Sequence, residues 1–127
     1  MINRELIDPK SIVVVGGSNN VHKPGGRLVR NLLDGKYKGE LYVVNAREDD
    51  VQGLKSYHSV HDIPDTEMAI ISIPGPSCPE AIDILANQKN VKAFIVVSAG
   101  FGEETHEGAL LEDQMLATVN EAGASMI

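Results

Sequence analysis

Two pairs of glycines carry the most visible chemistry in this chain. In residues 13–28, VVVGGSNNVHKPGGRL, an apolar run meets Gly16 and Gly17, a polar loop follows, and Gly25 and Gly26 open a segment with helical spacing. Without a Cβ the backbone can turn sharply and approach a ligand closely. The unpaired N–H groups and positive dipole end of a helix start favour an anion there. Ser18, Asn19 and Asn20 add hydrogen-bonding groups, and Lys23 a mobile positive charge. The pattern points to phosphate binding; a turn that merely needs glycine is the alternative.

The loop is not the dinucleotide fingerprint. That motif requires G-x-G-x-x-G, whereas Gly16-Gly17 is followed by seven residues before Gly25, so the loop suits a bulkier or differently angled group. The next apolar run ends Asn45-Ala46-Arg47, where an NAD site usually presents Asp or Glu to the ribose hydroxyls. A basic residue suits a phosphate on the ribose, which favours NADP or coenzyme A over NAD, although Glu48 weakens the discrimination.

Other reactive side chains offer less. His58 and His61 stand at i, i+3, but no cysteine or clustered carboxylate completes a metal set. His22 adjoins Lys23 and is a candidate phosphate contact. His106, in an acidic stretch, has no phosphohistidine-like surroundings in sequence. Cys78 lies at an expected helix start, which would favour its thiolate, and near the Pro74-Gly75-Pro76 turn, where alkylating reagents would reach it. Ser18 and Ser98 lack the G-x-S-x-G elbow of a serine hydrolase.

At 127 residues the chain has the size of one domain with its own core, and residues 1–127 are expected to form a single unit. Eleven basic residues against eighteen acidic ones leave a net charge of −7, which argues against nucleic acid or an anionic membrane as partner. The charge is uneven: residues 10–47 hold seven basic side chains and two acidic ones, so a local anion site fits an acidic protein. No segment approaches the ~20 apolar residues of a membrane span. One cysteine and no signal-peptide pattern suit the cytoplasm.

These residues need a scaffold that gathers loops at one end of a sheet. Ser11 to Val15, Leu41 to Val44, Met68 to Ile73, Val91 to Val97 and Ala124 to Ile127 read as strands, with a possible short one near Leu54 to Tyr57. Helices are expected from Gly25 to a stop at Gly35, from a Ser77/Glu80 capping box, and over Glu107 to Ala122. Strands alternating with helices give a Rossmann-like, doubly wound parallel α/β sheet of about five strands, order 3-2-1-4-5, in three αβα layers. Ligands bind such sheets beyond the strand carboxyl ends, where the order reverses.

Four ordered stretches, GGSNNVHKPGGRLVRNLL, LYVVNAR, ISIPGP and VVSAGFGEE, together resemble the amino-terminal coenzyme A-binding domain of ADP-forming acyl-CoA (acetyl-CoA) synthetases. That domain is similar to one in the succinyl-CoA synthetase alpha subunit. The resemblance implies a phosphate and pantetheine loop on Gly17, Ser18, Asn19, Lys23 and Gly25, and a post-strand position on Asn45 and Arg47. It implies a third-strand exit on Ile73, Pro74 and Gly75, and a loop against the pantetheine arm on Ser98, Ala99 and Gly100. Two departures stand out: Asn45-Ala46-Arg47 replaces the usual Asn-Pro-Lys, and the chain stops before the usual Gly-Pro-Asn.

The resemblance further implies that this stretch is a piece of a longer chain and binds coenzyme A without making acyl-CoA. The phosphorylated histidine and the ATP-grasp domain would lie elsewhere, so ATP and Mg enter only through domains absent here. The whole protein would join a carboxylic acid to coenzyme A through an acyl phosphate and a phosphohistidine, releasing ADP and phosphate. Two readings compete: an NADP-binding domain of an oxidoreductase or redox sensor, and an interaction piece whose crevice fills only when other domains dock.

Overall fold

The structure is a computed structural model that describes residues 3–97 and 106–127, the side chains of His106 and Glu107 excepted. Its sheet is built from β1 (Ser11–Val15), β2 (Glu40–Val44), β3 (Asp50–Val51), β4 (Leu54–Tyr57), β5 (Met68–Ile71), β6 (Ala93–Val96) and β7 (Ser125–Met126). The order is β3-β4-β2-β1-β5-β6-β7, parallel throughout except for the β3–β4 hairpin. Helices α1 (Arg4–Ile7), α2 (Pro24–Asp34), α3 (Cys78–Gln88) and α4 (His106–Glu121) complete the chain.

This is the expected doubly wound α/β architecture, with seven strands in place of about five. The short Leu54–Tyr57 segment is a full member of the sheet and pairs with β2 through Val43↔Ser56 and Val44↔Tyr57. It takes the outer position that a five-strand count gives to Met68–Ile71. That segment instead lies beside β1, with Val13↔Ala69 and Val15↔Ile71 in register. The order therefore reverses between β1 and β5.

β1 explains the layering. Its run Ile12-Val13-Val14-Val15 is buried on both faces, because successive side chains point to opposite sides. Val13 and Val15 join Ile82 and Leu85 of α3 and Met115 and Val119 of α4. Ile12 and Val14 join Val29, Leu28, Leu32 and Leu33 of α2. Two apolar cores thus sandwich the sheet.

α2 stops at Gly35 as expected, although the left-handed residue lies one position later. Gly35 caps α2 in a right-handed conformation (φ −76), and the left-handed residue is Lys36 (φ 53). Tyr37 N–H donates to Leu32 O and Lys36 N–H to Leu33 O, both at 3.1 Å, which is the paired closure of a Schellman motif with Lys36 at C′. Lys36→Gly is accordingly expected to raise stability by about 1 kcal/mol, since only glycine adopts that conformation without strain; a urea titration checks it.

At α3 the Ser77/Glu80 capping box does not form. Gly75–Ser77 is a 3-10 turn running directly into the helix, so Ser77 is right-handed helical (φ −87, ψ −13) and its side chain caps nothing. A capping side chain needs the extended backbone of a true helix boundary.

The amino end of the sheet is tied by one carboxylate. Glu67 accepts from Arg4 Nη2 at 2.8 Å, from Arg4 Nη1 at 3.2 Å and from the Lys10 N–H at 2.8 Å. The Arg4 hydrogen bond, then the Lys10 backbone bond, hold its pKa below the ordinary 4.5. A lowered folded-state pKa gives stability that is present above 4.5 and is lost as pH falls through the folded value. The Tm difference between wild type and Glu67→Gln should therefore be largest near neutral pH and close as the pH is taken below 4.5 and through the lowered folded-state value.

Candidate functional site

Four strand exits meet at the point of reversal. Gly16 follows β1, Asn45 follows β2, His58 follows β4 and Ser72 follows β5, and all four line one cavity of about 550 Å³. That size lies within the usual range for small-molecule and cofactor sites.

The glycine loop reaches this position through close backbone packing. Gly16 has φ +92, and a Cβ on it would overlap the Ser72 carbonyl oxygen. A Cβ on Gly25 would overlap the Gly16 carbonyl, and one on Gly26 the Asn20 carbonyl. These glycines let α2 start directly against the exit of β1. Lys23 precedes the helix in extended conformation and Pro24 opens it, where the missing proline N–H costs nothing.

Of the residues expected to bind a cofactor, Gly17, Ser18, Lys23, Asn45, Arg47, Ile73 and Pro74 line the cavity together. Gly25 and Gly75 are buried and do not line it. Ser98, Ala99 and Gly100 lie outside the described residues, as does the side chain of His106. Asn19 turns away from the cavity: its Nδ2 donates to Asp50 O at 2.9 Å and its Oδ1 accepts from the Gln52 N–H at 2.7 Å.

Asn45 is a brace. Its Nδ2 donates to Gly17 O at 2.8 Å, while its Oδ1 accepts from the N–H groups of Arg47 and Glu48 at 2.8 and 3.0 Å. One amide thus fixes both the glycine loop and the turn that carries Arg47. The Arg47 guanidinium and the Lys23 ammonium make no hydrogen bond or ion pair among the described residues, and both side chains are exposed at the cavity. The cavity is also lined by Ser77 of the 3-10 turn, by Glu80, Ala81 and Ile84 of α3, and by Val60 and His61. Lys23 and Arg47 can therefore hold anions, while Val60, Ala81 and Ile84 offer apolar contacts beside the Glu80 carboxylate.

Residues outside the sequence expectation also belong here. His58, Ser59 and His61 line the cavity because β4, expected only as a possible short strand, pairs with β2 in the main sheet. His58 Nε2 lies 2.8 Å from Asp49 Oδ1, and no metal-type cluster occurs among the described residues. His22 is exposed and does not line the cavity. Cys78 is fully buried, its Sγ 3.6 Å from the carbonyls of Ile73 and Pro74, so the expected reach of alkylating reagents is corrected: the 3-10 turn folds over the thiol.

The family described as "CoA binding domain" matches residues 10–127. The chain belongs to that family. The CoA-binding domain is 41% identical over 121 residues to the acetate–CoA ligase [ADP-forming] II of Archaeoglobus fulgidus, covering 94% of this chain and 18% of the relative. It is 36% identical over 124 residues to the alpha subunit of acetate–CoA ligase [ADP-forming] II of Pyrococcus furiosus, covering 96% of this chain and 26% of that subunit. A Ca. Korarchaeum cryptofilum acetyl-coenzyme A synthetase 1, solved with phosphate and ADP, superposes with a TM-score of 0.88 at 32% identity, over 100% of this chain and 27% of its own. This CoA-binding domain thus spans about a fifth to a quarter of these relatives. The matches favour coenzyme A over NADP as the ligand of the Rossmann-like sheet.

Proposed function

We propose that this domain binds coenzyme A in the cavity at the carboxyl end of the sheet, as part of an ADP-forming acyl-CoA synthetase. The observation that carries the site is the convergence of Lys23 and Arg47, both without side-chain partners among the described residues, on a cavity that also offers the apolar side chains of Val60, Ala81 and Ile84. Lys23 and the backbone of Gly17 and Ser18 would hold the pyrophosphate, and Arg47 the phosphate on the ribose. Gly25 brings α2 against the loop, and Asn19 and Asn45 keep it in place. Ile73, Pro74 and Gly75, with Ser98, Ala99 and Gly100, would flank the pantetheine arm.

Coenzyme A would supply the thiol that accepts the acyl group, and this chain's own residues would bind and orient it. The whole protein would join a carboxylate to that thiol at the expense of ATP, yielding ADP and phosphate. ATP and Mg would be held by its other domains or subunits, which are the partners we assign along with coenzyme A. Among the described residues no helix is long and apolar enough to cross a membrane. With the net charge of −7, we place the protein in the cytoplasm without nucleic acid or membrane partners.

The deciding experiment is a melt of the domain with coenzyme A, dephospho-coenzyme A, NADP or NAD at equal concentration. Coenzyme A at ~100 times its Kd adds about 2.7 kcal/mol, a rise in Tm on the order of 10 °C. A smaller rise with dephospho-coenzyme A and none with the dinucleotides is expected. A rise with NADP alone overturns the proposal.

A further inference from the structure

The β3–β4 hairpin contains a side chain that the binding chemistry above does not use. Its two-residue loop is Gln52-Gly53, with φ +52 and +89, the positive values that a tight hairpin requires at both central positions. Asparagine, aspartate or glycine meets that demand with less strain than glutamine. The Gln52 Oε1 is moreover buried and without a hydrogen-bond partner, which costs free energy in any folded protein. A strained residue with an unsatisfied acceptor is poorly explained by the turn alone.

The other end of the amide supplies the explanation. Gln52 Nε2 donates to Ser18 O at 2.8 Å and to Gly26 O at 2.9 Å. Ser18 belongs to the glycine loop and Gly26 to the first turn of α2. One NH₂ group therefore bridges the two segments that shape the anion side of the cavity. Asn19 completes the link by accepting from the Gln52 N–H and donating to Asp50 O. The hairpin is itself anchored, because Val51 is fully buried against Val29 of α2 and Val43 of β2.

We propose that Gln52 is a positioning residue for coenzyme A, its carboxamide holding the glycine loop in the ligand-binding conformation before the ligand arrives. The proposal rests on the reading that the glycine loop receives the phosphates of coenzyme A. It assigns the hairpin a function in affinity, at a residue that touches no ligand.

The test uses Gln52→Gly and Gln52→Met, with two measurements well below the Tm. Glycine relieves the positive φ and the unsatisfied acceptor, which offset the two lost hydrogen bonds, so its variant should melt close to wild type and yet bind coenzyme A about tenfold more weakly by titration calorimetry. A purely structural role cannot separate affinity from stability in that way. In ligand-free protein the amides of residues 17–26 should exchange hydrogen faster in both variants, while amides of β1 do not. Wild-type affinity in Gln52→Gly overturns the proposal, as does wild-type exchange in residues 17–26. If wild type itself binds no coenzyme A, the functional reading fails, and the loop exchange alone decides whether Gln52 holds the loop.

Discussion

Gly25→Ala is expected to lower stability by about 3 kcal/mol, the upper end of what overpacking costs, and to abolish coenzyme A binding. The added methyl would overlap the Gly16 carbonyl oxygen and stand 2.8 Å from its carbon. Neither atom belongs to a side chain that can swing aside. Gly16 is itself held by its N–H bond to Val44 O at 2.9 Å, and α2 is locked by Val29, which has no exposed surface. Either the helix must lift from the sheet or the loop must move, and both open the anion side of the cavity. Urea unfolding measures the loss, which corresponds to a fall in Tm on the order of 10 °C. Gly53→Ala is the control: nothing lies within 4 Å of its Cβ, so only its positive φ costs, about 1 kcal/mol. Equal losses at the two positions would mean that close packing of helix on loop does not set the requirement for glycine at position 25.

Arg47→Ala should weaken coenzyme A about 10- to 100-fold, the range expected for hydrogen bonds to a charged group. Dephospho-coenzyme A should change by less than about threefold, because it lacks the ribose phosphate that the guanidinium would grip. Three features make Arg47 specific. Its backbone is fixed by Asn45 Oδ1, its guanidinium has no partner among the described residues, and it faces the cavity from the exit of β2. Calorimetric titration of both ligands against both proteins forms a closed cycle. An equal loss for the two ligands would shift Arg47 to the pyrophosphate; no loss for either would take it out of the site.

The two largest expected effects fall on residues visible in sequence, and the reason is physical. Glycines spaced around a helix start and a cation after a buried strand are local patterns, and their chemistry does not depend on distant partners. Val13 to Val15 is equally legible, since a run buried on both faces has no polar alternation to confuse it. The features that sequence conceals depend on pairing across the fold. Leu54–Tyr57 is legible only as a possible short strand, and its place beside β2 is set by the edge that β2 offers it. Lys36 rather than Gly35 takes the left-handed position because the closure involves Tyr37, whose ring packs in the same core as Leu32. Ser77 yields its capping role to a turn that begins two residues earlier.

Gln52 is the least visible of all. A glutamine in a polar loop carries no chemical signature, and its partners Ser18 and Gly26 lie 34 and 26 residues away. The Gln-Gly pair between Asp50-Val51 and Leu54 is the available signal for a hairpin, but Asn-Gly or Asp-Gly is the usual form. The same hairpin draws Asn19 away from the cavity and brings His58 to it, so one element accounts for both differences.

The burial of Cys78 has a consequence for redox chemistry. A protein that holds a thiol-bearing ligand risks capture, because an oxidised ligand can exchange onto any accessible cysteine and stay there as a mixed disulfide. The chain's one cysteine is close to the cavity in sequence and in space, yet its sulfur has no exposed surface. Oxidative stress that converts coenzyme A to its disulfide would therefore deplete the ligand without disabling the domain. In the complex, a sulfhydryl reagent would count one reactive group, and it would belong to the cofactor.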